Sequence, residues 1–283
     1  IYGNTFGARI IKNNISNNIF YNNTAAMYFG NIQETCSTTG GTSSNDCGIT
    51  SILKEKYGLS DEEYPLRINK NIIVNTKEAQ NAGNIDEIIF YNGHLSSNGK
   101  TDFSNNIIKT LRGGVSISGK NSPGTFIKNN YFETGLGVLE MIKDDTESYS
   151  AKKVTFSENT LGLKKENNTD FYLSLSADEN VINSNNFPKA DSLIYNNSKY
   201  AVIGENNYWG TETESEIQTL IYDYDDDFEL GDVDYDPYLN ALDTDAPISP
   251  PSNVTKSVSG SDVVLNWSAN GESDIAGYKL HYG

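Results

Sequence analysis

An all-β fold built as a solenoid, a parallel β-helix, is predicted by three features of this chain. A short motif recurs, with an aliphatic residue or Phe, two polar residues, an Asn, one further residue and an apolar one. It reads "ISNNIF" from Ile15, "INKNII" from Ile68, "FSNNII" from Phe103, "IKNNYF" from Ile127, "FSENTL" from Phe156, "INSNNF" from Ile182 and "IGENNY" from Ile203. Between these motifs lie short alternating segments such as "GGVSISG" from Gly113, "GVLEMIK" from Gly137 and "FYLSLSA" from Phe171. Convincing helical periodicity is nearly absent before Glu214. A motif that returns every two to three dozen residues points to a repeat architecture before any local assignment, and period-two alternation points to strands.

The motif has a physical role in such a fold. Stacked coils pair strand on strand, about 4.8 Å apart, so equivalent side chains lie one above another. The flanking apolar residues are expected inside. The motif Asn residues are Asn18, Asn71, Asn106, Asn130, Asn159, Asn185 and Asn206. They are expected at the turn between two strands, in the left-handed conformation Asn tolerates, with their amides hydrogen-bonded as a ladder. Asn-rich runs also occur as low-complexity tracts, but here the Asn keep register with apolar neighbours, which a polar tract need not do. Eight to ten coils of about 20 to 29 residues are expected.

The early spacing is longer. The gap between Asn18 and Asn71 holds "CSTTGGTSSNDC" and "SILKEKYGLSDEEYP". The first reads as a loop whose Cys36 and Cys47 are placed to form a disulfide, implying an oxidising compartment; two free thiols are the alternative. The second is a candidate short helix. Long insertions in a solenoid gather on one face, often the binding face.

Composition narrows the function classes. The chain has 283 residues and a formal net charge of −17. A cationic face for phosphate is not to be expected, so nucleic acid is excluded as a partner. No apolar run reaches membrane-spanning length. The chain opens on Ile1 and stops at "GYKLHYG", which suggests a fragment of a longer protein.

"IIKNNISNNIFYNN", "FIKNNYF" and "IGENNYWG" resemble the repeats of right-handed parallel β-helix proteins of the pectate-lyase-like superfamily, over residues 1–242. The resemblance implies a secreted or cell-surface bacterial protein acting on, or displayed among, extracellular polysaccharide. That superfamily holds lyases, hydrolases, epimerases and adhesins, so the fold does not fix an activity. The stretch 210–242 resembles a terminal cap. Thr213 and Glu216 fit a capping box before a short helix with Ile217, Leu220 and Ile221 on one face. "GDVDYDPYLN" then closes the domain and shields the last open strand edges. Residues 243–252 read as a Pro-containing linker. Residues 253–283 resemble the start of a fibronectin type III β-sandwich, with Val264, Leu265 and Trp267 on its second strand and Tyr278, Leu280 and Tyr282 on its third. A sandwich with one sheet missing cannot bury its inner face, so this part is expected to be poorly packed by itself.

Candidates for chemistry follow from what each reaction needs. A uronate lyase of the superfamily needs a base and a cation beside the carboxylate. Lys109 and Arg112 in "IIKTLRGG" are the nearest cationic pair; a solvated Lys and an Arg bridging to neighbouring carboxylates is the alternative. A hydrolase needs paired carboxylates, for which Asp144 and Asp145 in "KDDTES" are the candidates; an exposed turn is the alternative. Of the superfamily hydrolase motifs only that Asp-Asp is matched, with an Asn-Gly-His ending at His94. Asp223, Asp225 and Asp227 have the alternate spacing of a calcium loop, although Phe228 stands where such a loop needs Gly. Calcium is therefore the candidate cofactor, and a solvated acidic surface the alternative. Tyr21, Tyr28, Tyr91 and Tyr131 fall near coil corners, where aromatic rings could take sugars or stack within the coil. Tyr91, His94 and Tyr131 are the binding candidates.

Overall fold

In the computed structural model, described here over residues 6–9, 14–21, 25–29, 66–74, 90–93, 101–110, 114–118, 125–135, 137–141, 154–162, 171–176 and 178–280, the chain is mostly β. Its first coil carries β1 (Phe6–Arg9), β2 (Asn14–Ser16) and β3 (Ile19–Tyr21). The second carries β4 (Ala25–Phe29), β5 (Leu66–Asn69) and β6 (Ile72–Val74). The third carries β7 (Phe90–Gly93), β8 (Thr101–Ser104) and β9 (Ile107–Lys109). The fourth carries β10 (Val115–Ser118), β11 (Thr125–Lys128) and β12 (Tyr131–Glu133). The fifth carries β13 (Leu139–Met141), β14 (Val154–Ser157) and β15 (Thr160–Leu161).

Three further coils are each reduced to two strands: β16 (Leu173–Leu175) with β17 (Val181–Asn183), β18 (Ile194–Asn196) with β19 (Val202–Ile203), and β20 (Ile221–Tyr222) with β21 (Val233–Asp234). First strands of successive coils make one eight-stranded sheet, second strands another, and third strands a five-stranded one. Where the third strand shortens, single bridges Thr160 to Asn186 and Asn186 to Tyr208 continue its line. All these pairings are parallel. A chain that visits three sheets in turn and advances one strand in each forms a β-helix-like solenoid.

The core is a set of columns. Ile15, Ile68, Phe103, Ile127, Phe156 and Ile182 stack inward in the second sheet, and Phe20, Ile73, Ile108, Phe132 and Leu161 in the third; all are buried. Phe132 lies between Phe103 and Phe156, with ring centroids 6.4 and 5.9 Å away. Phe187 and Trp209 extend the third column at 5.1 Å. Each apolar side chain so buried contributes about 1.5–3 kcal/mol, and every coil repeats the gain.

The Asn ladder forms, with a corrected register. Asn18, Asn71, Asn106, Asn130, Asn159, Asn185 and Asn207 are linked amide to amide, Nδ2 to Oδ1, at 2.9–3.1 Å. Each Oδ1 from Asn71 onward also accepts the backbone N–H of the Asn one coil earlier, as Asn130 Oδ1 does from Asn106 at 2.8 Å. Each Nδ2 from Asn71 onward also donates to a carbonyl of the preceding coil, as Asn130 does to Phe103 at 2.9 Å. The left-handed residue is not the ladder Asn but the one before it: Asn17, Lys70, Asn105, Asn129, Glu158, Ser184 and Asn206 all have φ between 51° and 59°. Asn206 therefore holds the turn, and Asn207 the rung.

Ile203, the expected inward anchor of that last motif, is half exposed and points outward. Gly204 takes the inward slot instead, where an added Cβ would lie 3.0 Å from the Val233 side chain and 3.1 Å from the Asp234 carbonyl. A methyl group there would require the Val233 side chain and the Asp234 carbonyl to give by a few tenths of an ångström, and the motif slips by one residue.

The helix α1 (Glu214–Thr219) forms with Ile217 buried, but it is shorter than the expected face: Leu220 is its C-cap and Ile221 already belongs to β20. The capping box does not form: Thr213 makes no side-chain cap bond, and Glu216 instead accepts from the Thr211 hydroxyl. The helix also precedes the last coil, since β20 and β21 follow it and pair with β18 and β19. Beyond the solenoid, β22 (Ser252–Ser259) and β23 (Asp262–Ser268) form an antiparallel hairpin. Its residues are exposed almost throughout, Val258 at 69% and Trp267 at 42%. Val264, Leu265 and Trp267 lie on the second strand as expected, but the segment of Tyr278 and Leu280 forms no strand.

Candidate functional site

The columns that face outward are what a partner meets. In the first sheet one row is traced by strand register through Arg9, Tyr28, Tyr91, Ser116, Glu140, Ser174, Tyr195 and Tyr222. The inward neighbours Leu139, Leu173, Ile194 and Ile221 are buried, while Glu140 is exposed and Ser174 and Tyr195 are half-buried. Period-two alternation along each strand puts the row on the outer face of coils five to eight.

At its C-terminal end the row carries an aromatic cluster. Phe171 stacks on Tyr195 with centroids 5.4 Å apart, and Tyr195 meets Tyr222 edge to face, also at 5.4 Å. Phe171 and Tyr222 are 6.4 Å apart. Tyr222 is 38% exposed. Edge-to-face contact is a favoured aromatic geometry, and it leaves a ring face of Tyr222 unshared with Tyr195.

The third sheet presents a different outer surface. Lys109 Nζ lies 3.1 Å from Glu133 Oε2 and 5.7 Å from the centroid of the Tyr131 ring. The Tyr131 hydroxyl donates to the same carboxylate oxygen at 3.2 Å. Burial, then the neighbouring negative charge of Glu133, pushes the Tyr131 phenol well above its ordinary range, so it stays a donor. Two of the candidates named from the sequence lie here. Tyr131 is 6% exposed and offers no open ring face, and Lys109 is engaged by Glu133 across adjacent coils.

The chain's own continuation runs back along this sheet. Leu239 N–H donates to the Asn207 carbonyl at 2.9 Å. Asp243 and Asn186 then pair doubly, the Asp243 N–H to Asn186 Oδ1 at 2.7 Å and Asn186 Nδ2 to the Asp243 carbonyl at 2.9 Å. The Pro-containing segment is thus pinned to the solenoid at its start.

The acidic segment is organised by its own backbone. Asp223 Oδ2 accepts the Val233 N–H at 2.8 Å and Oδ1 the Asp225 N–H at 3.2 Å, and Asp227 Oδ1 accepts the Glu229 N–H at 3.0 Å. Burial raises the Asp223 carboxyl above its ordinary range against the pull of those two N–H groups. Asp223, Asp225 and Asp227 are not brought together as a ligand set. Among the described residues no group of three or more His, Cys, Asp or Glu is placed to hold a metal.

Arg112, Asp144, Asp145, His94, Cys36 and Cys47 lie outside the described residues, as does the candidate helix "SILKEKYGLSDEEYP". Tyr91 is placed by backbone register only. Tyr195 and Tyr222 were missed by sequence reasoning, although a signal existed. The tripeptide Leu-Ile-Tyr occurs at Leu193 and again at Leu220, and the two copies lie in register on neighbouring coils. No helix among the described residues is long and apolar enough to cross a membrane. Compared with protein families, with curated proteins and with solved structures, the chain matches none.

Proposed function

We propose that this chain is a right-handed β-helix of the pectate-lyase-like kind, from a secreted or cell-surface bacterial protein, that binds an extracellular polysaccharide. The observation that carries the reading is the outward row of the first sheet. Over coils five to eight it presents Glu140, Ser174, Tyr195 and Tyr222, one residue per coil, and strand register carries the same line back to Ser116, Tyr91 and Tyr28. Aromatic rings offer apolar faces to sugar C–H groups while hydroxyls and carboxylates take sugar hydroxyls. An extended polymer suits a site that repeats with the coil. In this reading residues 210–242 cap the solenoid, and the hairpin begins a fibronectin type III module.

Cleavage would place Lys109, Arg112, Asp144 and Asp145 in roles of cation and base. The engagement of Lys109 by Glu133 favours binding without cleavage. A second reading, a non-catalytic stalk, draws on the unbroken ladder, which stiffens the solenoid along its axis.

The test is retardation of the protein in gels containing polysaccharides, with and without calcium, alongside ultraviolet absorbance for unsaturated uronate ends. Retardation with flat absorbance is the expected result. Rising absorbance lost on chelation would make it a calcium-assisted lyase. No retardation in any gel would leave the stalk.

A further inference from the structure

We infer that the cluster of Phe171, Tyr195 and Tyr222 on coils six to eight is a subsite for an uncharged polysaccharide lying along the solenoid axis, not for a uronate polymer. The inference rests on the glycan-binding reading and narrows it to a site and a ligand class.

Charge argues first. The strands that build this end of the face are Leu139–Met141, Leu173–Leu175, Ile194–Asn196 and Ile221–Tyr222. They carry no Lys or Arg. Glu140 is exposed in the same row, and the acidic segment with the exposed Asp225, Asp226 and Asp227 follows closely on Tyr222. A polyuronate brings a carboxylate with every sugar, and at a surface of this sign each would be repelled. Lys109, the cation the sequence offers, is on the third sheet and held by Glu133.

Geometry argues second. Tyr195 and Tyr222 are directly in register, with Ser174 one coil earlier. Successive coils stand about 4.8 Å apart, close to the advance of an extended glycan per sugar. One ring or hydroxyl per coil therefore matches one sugar per coil. The rings are already packed against each other at 5.4 Å, so little side-chain freedom remains to be lost on binding.

The experiment measures retardation of the full chain in gels of mixed-linkage β-glucan, galactomannan, polygalacturonate and alginate. Variants Tyr195→Ala, Tyr222→Ala, Tyr222→Phe and Tyr222→Lys are run beside it, each with its thermal melt. Retardation is expected in one or both neutral gels. It should weaken roughly tenfold in each Ala variant and persist in Tyr222→Phe, which keeps the ring. Tyr222→Lys, on the exposed last coil, guards against an Ala variant that fails to fold and should also lose neutral binding. Retardation by the uronates alone would overturn the ligand class while leaving polysaccharide binding intact. Neutral binding unchanged by every Tyr195 and Tyr222 variant would overturn the site. No retardation in any gel would overturn the inference together with the reading beneath it.

Discussion

The solenoid and the C-terminal hairpin are both made of β-strands, yet they bury their residues in opposite ways. Along β11 the side chains alternate, with Thr125 and Ile127 buried and Phe126 and Lys128 exposed. Along β22 every residue is exposed, and β23 is little better. The hairpin is no poorer in strand formers, since Val254, Val258, Val263, Val264 and Trp267 lie in it. What differs is partners. Each solenoid strand inside the stack is flanked by a coil on either side and faces two other sheets across the core, whereas the hairpin's strands pair only with each other. A two-stranded hairpin is marginal alone. β-propensity is chiefly a fit to a half-buried surface, and the hairpin lacks that surface.

The largest expected break in this contrast lies in the ladder. Asn130→Ala removes the acceptor for the Asn106 amide and backbone N–H and the donor to the Phe103 carbonyl and to Asn159, all buried. Buried polar groups left unpaired cost about 1–3 kcal/mol each, so a loss of about 3–5 kcal/mol is expected in denaturant melts. Loss under 1 kcal/mol would show that the ladder decorates the coil and does not hold it.

A smaller and opposite effect is expected one residue earlier in a later coil. Ser184 sits at φ 56°, a conformation Asn tolerates better. Ser184→Asn should raise stability by about 0.5–1 kcal/mol. A destabilised variant would mean that the left-handed turn is not what selects these residues.

The smallest effect belongs to the hairpin. Trp267 touches Tyr278 edge to face at 5.2 Å but is 42% exposed. Trp267→Ala should leave the solenoid's unfolding within about 0.5 kcal/mol of the parent. A larger shift would show that the hairpin supports the coils.

The coiled plan was legible because it is written in two constrained places, the inward apolar residue and the Asn three positions on. Which Asn of a doublet makes the rung was less plain. Asn17-Asn18 and Asn206-Asn207 look alike from either side, since one Asn suits the left-handed turn and the other the ladder. Lys70-Asn71, Glu158-Asn159 and Ser184-Asn185 do settle the register, because only their second residue can join an amide ladder. The outer face was harder to read. Outward positions are free of packing demands, so Tyr195 and Tyr222 stand out only once the coils are aligned. The short stretch after Tyr222 supports two readings for a related reason. Alternate aspartates suit a calcium loop, but they equally suit carboxylates that catch their own backbone N–H groups.

The ladder also has a sense. Every step runs from the Nδ2 of one Asn to the Oδ1 of the Asn one coil later, from Asn18 to Asn207. Six successive amide carbonyls therefore point the same way, and their dipoles add as peptide dipoles do in a helix, each polarising the next. The column is negative toward the first coil and positive toward the last. At that last member Asn207 spends its amide hydrogens on the carbonyls of Ile182 and Gly204, both at 2.6 Å. The end is thereby quenched within the protein: a row of neutral side chains becomes a buried electrical axis with a defined terminus.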